Sequence, residues 1–224
     1  MAELFDNFYN GYDAWYDTPM GQFVDEVETD CLYSLFKPQG GQKILDVCCG
    51  TANFSVKFAK TGCSVTGIDI SEKMLEIANE KIKREKLNVE LIKGDCSTVS
   101  LRENYYDAII SMAGFEFIPA PMSAYKHLLR FLKPNGYFII GTIQKGSEWQ
   151  KLYSSLKETV YEYANFLTSD DLKNMDMTSF CDQQECLFIP PNLAETEYNS
   201  KNEIKFKTKN VTGGFICAKF KKNK

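Results

Sequence analysis

KILDVCCGTANF, residues Lys43 to Phe54, runs from a β-branched apolar stretch through small residues into the opening of a helix. A second apolar run, SVTGIDIS, brings an acid, Asp69, about twenty residues further on. That order describes a nucleoside-binding half of an open α/β sheet. The small-residue turn lets a ligand approach the backbone, and the carboxylate at the second strand's tip takes the ribose hydroxyls. The glycines do not follow G-x-G-x-x-G, and Asp46 stands at the turn. An acid there would repel a dinucleotide's phosphates, so an NAD-dependent oxidoreductase is disfavoured.

Composition limits the remaining classes. A chain of 224 residues with 44% hydrophobic side chains suits one well-packed domain, or a domain with a modest lid. A formal net charge of -4 argues against a nucleic-acid binder, which needs a basic face; the basic ending KFKKNK reads as a solvated tail. MAELFDNF has early acids and no apolar core, so no export signal is expected, and no apolar run is long enough to span a bilayer. The expected setting is cytoplasmic, with eight reduced cysteines. Cys48-Cys49 and Cys181/Cys186 lack a completing pair, and His127 is the only histidine, so no metal site is expected.

Along the chain, helical spacing of Phe23, Val24, Val27, Cys31, Leu32 and Leu35 predicts a helix from about Gly21 to Phe36, ended by Lys37-Pro38. Strands are expected at Lys43 to Cys48, Ser64 to Ile70, VELIKGD up to Asp95, YYDAIISM and YFIIGTI. Between them lie helices at Asn53 to Lys60, at SEKMLEIANEKIKREK capped by Ser71, and from Pro121 through Leu132, with LKPNG as a turn. Strands alternating with helices mean βαβ units and a parallel sheet. Beyond Gly146, SEWQKLYSSLKETVYEYANF reads as helix, TSDDL as a fresh cap, and ECLFI and GGFICAKF as two closing strands with an antiparallel partner. Residues 194–210 read as a polar loop or excursion.

DVCCGTAN resembles motif I of the class I S-adenosylmethionine (SAM) methyltransferases, and the resemblance extends over nearly the whole chain. YDAWYDTPMGQFVDEVE, MAGFEFIPAP, HLLRFLKPNG with FIIGTIQKGSEW, KETVYEYANFLTSDDL and GGFICAKFKK resemble successive sections of a small-molecule branch with a type-11 methyltransferase domain. Motif I alone also resembles quinone-ring methyltransferases, whose N-terminal signature is missing here. The resemblance implies a Rossmann-like, mostly parallel seven-stranded sheet with helices on both faces and an N-terminal helical lid. It places the lid at residues 1–36 and the SAM-binding domain at 37–224, with a substrate-side helical segment at about 147–180. Two positions depart from the family: Cys48 and Ala52 stand where glycine is usual, and alanine resists positive φ. Asn135 also replaces a glycine, in a turn that asparagine tolerates.

Each site residue has a plain alternative. Asp69 is expected on the ribose rather than as a solvated cap. Asp46 with Cys49 and Gly50 should orient the methionine end, with Cys48 narrowing that space. Asp95 and Cys96 would meet the adenine edge, and Ile70 and Met74 its faces, although Met74 suits helix core. Ser111, Met112 and Ala113 end the fourth strand, under the methyl group or simply in the sheet. The resemblance makes Tyr12 a lid residue near the SAM carboxylate. Trp15, Tyr16, Tyr161, Tyr163 and Phe166 are acceptor-pocket candidates that could equally be packing residues. Glu116, just past the fourth strand, is the candidate base or a helix-flanking acid. His127 reads as a helix-surface residue.

The expected activity is methyl transfer from SAM to a small-molecule acceptor by a monomer or homodimer, without nucleic acid or membrane. The alternative is a non-catalytic SAM-binding sensor or partner. The acceptor atom does not follow from the sequence. Vicinal thiols invite a metalloid, but Cys48-Cys49 lie in the cofactor turn and no thiol trio is evident.

Overall fold

The computed structural model describes residues 2–9, 11–209 and 211–223. In chain order the elements are α1 (Ala2–Phe8), α2 (Tyr12–Tyr16), α3 (Pro19–Leu35), β1 (Lys43–Val47), α4 (Asn53–Lys60), β2 (Ser64–Asp69), α5 (Glu72–Glu85), β3 (Val89–Lys93) and β4 (Tyr106–Met112). There follow α6 (Pro121–Leu128), β5 (Leu132–Ile143), α7 (Glu148–Ser155), α8 (Ser169–Met175), β6 (Phe180–Cys186), α9 (Ser200–Lys207) and β7 (Phe215–Lys221). One seven-stranded sheet runs β3-β2-β1-β4-β5-β7-β6. The first five strands are parallel; β7 pairs antiparallel with both β5 and β6.

Alternation along the strands builds two cores, because successive side chains leave opposite faces. Ile44, Ala108, Ile110, Ile139, Phe215 and Cys217 meet α3 and α4 through Phe23, Leu32, Phe54 and Phe58. Leu45, Val47, Ile109, Phe138, Ile140 and Ile216 meet α6 and α8 through Tyr125, Leu128 and Leu172. Helix α5 joins α4 through Ala52, Val56, Ala78 and Ile82. Strand order reverses between β1 and β4, the place where open α/β sheets bind ligands beyond the carboxyl ends.

Five sequence expectations need correction. The helix opening at Pro121 stops at Leu128, and Leu132 already belongs to β5. The LKPNG turn is absorbed into that strand as a bulge. Leu132 faces Tyr106 and Tyr137 faces Ala108, while Asn135 takes φ 63° and its amide reaches the Lys222 carbonyl at 3.0 Å. The long helix after Gly146 breaks after Ser155, where Glu158 adopts φ 57° and the chain doubles back so that Tyr161 stacks on Tyr153 with centroids 4.2 Å apart. ECLFI is mostly not strand: β6 ends at Cys186, since Leu187 at φ 62° leaves the ladder and offers its carbonyl to Gly214. Finally, residues 194–210 contain α9. Asn199 caps it through the Asn202 amide at 3.0 Å, and Glu203 anchors it by accepting the amides of Phe188 and Ile189 at 2.9 and 3.1 Å.

Candidate active site

The backbone leaving β1 turns with three residues in the left-handed region: Cys48 at φ 58°, Gly50 at 53° and Ala52 at 65°. Only one of the three is glycine, so this turn carries strain of about 1–2 kcal/mol at each of the other two. The turn is held from the neighbouring strand. Cys49 donates its amide to the Ile68 carbonyl at 2.9 Å, and Gly50 donates to Asp69 Oδ2 at 2.8 Å. Asp69 Oδ1 accepts the Ser71 amide at 2.9 Å. Each oxygen therefore spends one lone pair on backbone. Burial raises the Asp69 pKa even so, against the opposing pull of these amides.

Beyond these strand ends lies a cleft of about 830 Å³, partly open to solvent, with a smaller cavity of about 420 Å³ beside it. The cleft takes Cys48 and Gly50 from the first turn, Asp69, Ile70 and Met74 from the second, Asp95 and Cys96 from the third, and Ala113 and Gly114 after β4. The smaller cavity takes Asp46, Cys49, Thr51, Asn53 and Met112. Tyr12 lines both. Among the described residues lining them there is no lysine or arginine. Asp46 is 2% exposed, accepts Ser55 Oγ at 2.6 Å, and is pushed by burial to about 7. Burial likewise pushes Tyr12 up to about 12. Contact with Cys96, then burial, raises the Cys48 thiol well above its ordinary value, and burial raises Cys49.

Of the acceptor-pocket candidates, only Tyr16 lines a cavity directly. Tyr161 stands one ring away, its centroid 5.9 Å from Phe117, a cleft residue. Trp15 and Phe166 line neither cavity and pack against the α3–α4 core. Tyr163 is 59% exposed at the end of a short 3₁₀ turn and lines neither cavity. Ser111 is fully buried in the sheet with no partner for its Oγ, and lines neither cavity. Glu116 is 1% exposed, neither of its oxygens has a hydrogen-bond partner, and burial pushes it to about 7. His127 sits on α6 with Nε2 at 2.7 Å from the Val99 carbonyl, distant in role from the cleft.

Sequence reasoning missed Phe5, Phe117 and Glu28. Phe5 of α1 lines the cleft and meets Phe117 edge-on at 5.3 Å. Glu28 lines the smaller cavity from α3, where burial and then Asp25 raise its pKa. It could have been found, because Val24, Glu28, Cys31, Leu32 and Leu35 follow helical spacing and put an acid inside an apolar stripe. The structure also gathers Cys31, Cys186 and Cys217 in the core beneath α3, a trio brought together from distant segments, none of which lines either cavity. Among the described residues no three potential ligands are arranged to hold a metal ion.

Residues 44–136 match the family model described as methyltransferase domain. Over that stretch the chain is similar to a methyltransferase domain. Demethylmenaquinone methyltransferase of Listeria welshimeri is 39% identical over 106 residues, covering 46% of this chain and 45% of the relative. The chain thus spans about half the length of the curated relatives it matches. In structure, the chain resembles a Thermotoga maritima SAM-dependent methyltransferase, described as a possible histamine N-methyltransferase. The TM-score is 0.75 at 23% identity, over 100% of both chains. Phosphoethanolamine N-methyltransferase 2 of Haemonchus contortus, solved with phosphomonomethylethanolamine and S-adenosylhomocysteine (SAH), aligns at TM-score 0.70 and 19% identity over 98% of this chain and 58% of that one. These two likenesses establish the fold. Among the described residues no helix is long and apolar enough to cross a membrane.

Proposed function

We propose that this protein transfers a methyl group from SAM to a small-molecule acceptor. The observation that carries the reading is Asp69: fixed by the Gly50 and Ser71 amides, it keeps acceptor capacity at the edge of a cleft that strand ends build. The cleft suits a nucleoside without phosphates. Acids line it and no basic side chain does among the described residues, so a sulfonium is welcome there and a pyrophosphate is not. The name of the curated relatives supports a small-molecule acceptor, but their match covers 46% of this chain and does not fix which.

In this reading Asp69 holds the ribose, Asp95 and Cys96 the adenine edge, and Ile70 and Met74 its faces. Asp46, Cys49 and Gly50 orient the methionine end, with Tyr12 at its carboxylate. SAM supplies a methyl group already activated by its sulfonium, so the protein's task is alignment and water exclusion. We take residues 1–36 as a cap over a domain of 37–224, with Phe5 and Tyr12 closing the cleft and residues 147–180 walling the acceptor side. Calorimetry with SAM and SAH, followed by conversion of SAM to SAH in the presence of a small-molecule extract, tests the reading. Binding with no turnover would make the chain a sensor, and binding of NAD instead of SAM would remove the assignment.

A further inference from the structure

The smaller cavity offers two kinds of polar group. Glu28 of α3 and Asp46 of β1 bring carboxyls, while Tyr12 and Asn53 bring neutral donors. Among the described residues Glu28 has no hydrogen bond or ion pair. Its oxygens are not sealed as those of Glu116 are, so they stay accessible in a residue that lines this space. Lys57 of α4 reaches α3 but is committed to Asp25 and Thr29, each at 2.6 Å, and it lines neither cavity. Asp46 has already given one oxygen to Ser55 Oγ at 2.6 Å. Asn53 Oδ1 accepts Lys81 Nζ at 2.6 Å, which orients the amide and leaves its Nδ2 hydrogens to donate.

Two carboxyls with no lysine or arginine among the described lining residues favour a cation and repel an anion. The end of an amino acid carries both charges. It fits only with its ammonium on the acids and its carboxylate on the neutral donors. Asp46, 2% exposed and half spent on Ser55, offers one oxygen to an ammonium that has three hydrogens to place. Glu28 supplies the acceptor that is missing. We propose that Glu28 is the counter-ion of the cofactor's α-ammonium and makes binding selective for a complete amino-acid end. This rests on the methyltransferase reading above, in which the methionine end occupies this cavity.

The energetics favour the pairing from both partners. A part-buried carboxylate without a partner is costly, and the ammonium removes that cost while gaining a charge-assisted hydrogen bond. Glu28 lines the smaller cavity alone, whereas Asp69 and Asp95 line the larger cleft. The adenosine part of the ligand is therefore held by residues that Glu28 does not share.

The test measures three ligands by calorimetry on the parent protein and on Glu28→Gln. They are SAH, its deamino analogue with hydrogen in place of the α-ammonium, and methylthioadenosine, which lacks the amino-acid end. The amide keeps the shape of the acid and carries no charge to bury, so the variant should fold. The parent is expected to bind SAH at least about tenfold more tightly than the deamino analogue, the worth of a charge-assisted hydrogen bond. In Glu28→Gln that preference should fall to about twofold or less, with methylthioadenosine affinity within about twofold of the parent. A preference that survives in Glu28→Gln, or is missing in the parent, overturns the assignment and leaves the methyltransferase reading standing. Loss of methylthioadenosine binding in the variant makes Glu28 a support of the whole cleft and also overturns it. If the parent binds none of the three, the methyltransferase reading falls and the counter-ion falls with it.

Discussion

The Ser71 hydroxyl donates to Asp6 Oδ1 at 2.6 Å while accepting the Met74 amide at 3.2 Å, so one side chain both caps α5 and fastens α1 over the cleft. A second latch holds α2: Asp13 Oδ1 accepts Thr51 Oγ1 at 2.7 Å and Lys81 Nζ at 2.8 Å. Both latches attach to helices that flank the cofactor turn, which makes them natural reporters of an occupied cleft. Amides before Asp17 should gain hydrogen-exchange protection when SAH is added. The double variant Asp6→Ala/Asp13→Ala should lose that gain and release SAH about thirtyfold faster, since each latch is worth about 1 kcal/mol and the two together about 2 kcal/mol. Equal protection with and without ligand would make α1 and α2 a fixed part of the fold.

Asp69→Ala should weaken SAH binding by about ten- to a hundredfold, the value of one or two charge-assisted hydrogen bonds to ribose. The same change frees the Gly50 amide, so the turn after β1 should also show faster exchange. Asp69→Asn separates the two effects, because its amide oxygen can still accept from Gly50 while the charge is gone. Calorimetry showing parental affinity in a folded Asp69→Ala would place the ribose elsewhere.

Cys48 and Gly114 form a tightly matched pair. A Cβ added at Gly114 would lie 2.5 Å from Cys48 Cβ, well inside contact distance. Gly114→Ala should therefore cost about 1–3 kcal/mol and lower the melting temperature by about 2–10 °C. In a Cys48→Gly background the obstructing atom is gone, and the same alanine should cost almost nothing. A double-mutant cycle that shows additivity would mean the backbone at Gly114 gives way instead.

Much of this architecture is written in local pattern. KILDVCCGTANF and SVTGIDIS predicted β1, α4 and β2 to within a residue, because small residues and an acid between apolar runs leave few other backbones. Ser71 and Thr168 announced their helices as caps, and both hydroxyls accept the expected amides. What was illegible depends on tertiary partners. Helix α9 is mostly polar with Phe206 packed on the core, and Glu203 ties it down by reaching two amides 14 and 15 residues back. The break after Ser155 exists for the stack of Tyr161 on Tyr153, which no periodicity encodes. The acceptor side suffered most: Tyr163 and Glu116 looked alike as candidates, yet one faces water and the other is sealed in the interior.

Glu116 should leave a signature in the pH dependence of stability. Burial lifts its folded-state pKa from 4.5 to about 7, so between those values the folded protein holds a proton that the unfolded chain has released. Stability from this group is complete below about 4.5 and drains away as pH rises through about 7. The groups facing it are Glu28 of α3, Tyr153 of α7, Tyr161, and Thr142 and Ile143 of β5, and none of these is a cation. Glu116→Gln removes the titration. The amide's own burial shifts the whole curve without bending it, so the informative quantity is the change in the variant-minus-parent difference. That difference should grow by on the order of 3 kcal/mol in the variant's favour between pH 4 and pH 8. Asp46 titrates in the same window but is present in both proteins and cancels in the subtraction. Urea titrations across that range measure the difference directly. A flat line would show that the Glu116 carboxyl finds a hydrogen-bonding partner in solution and carries no burial cost.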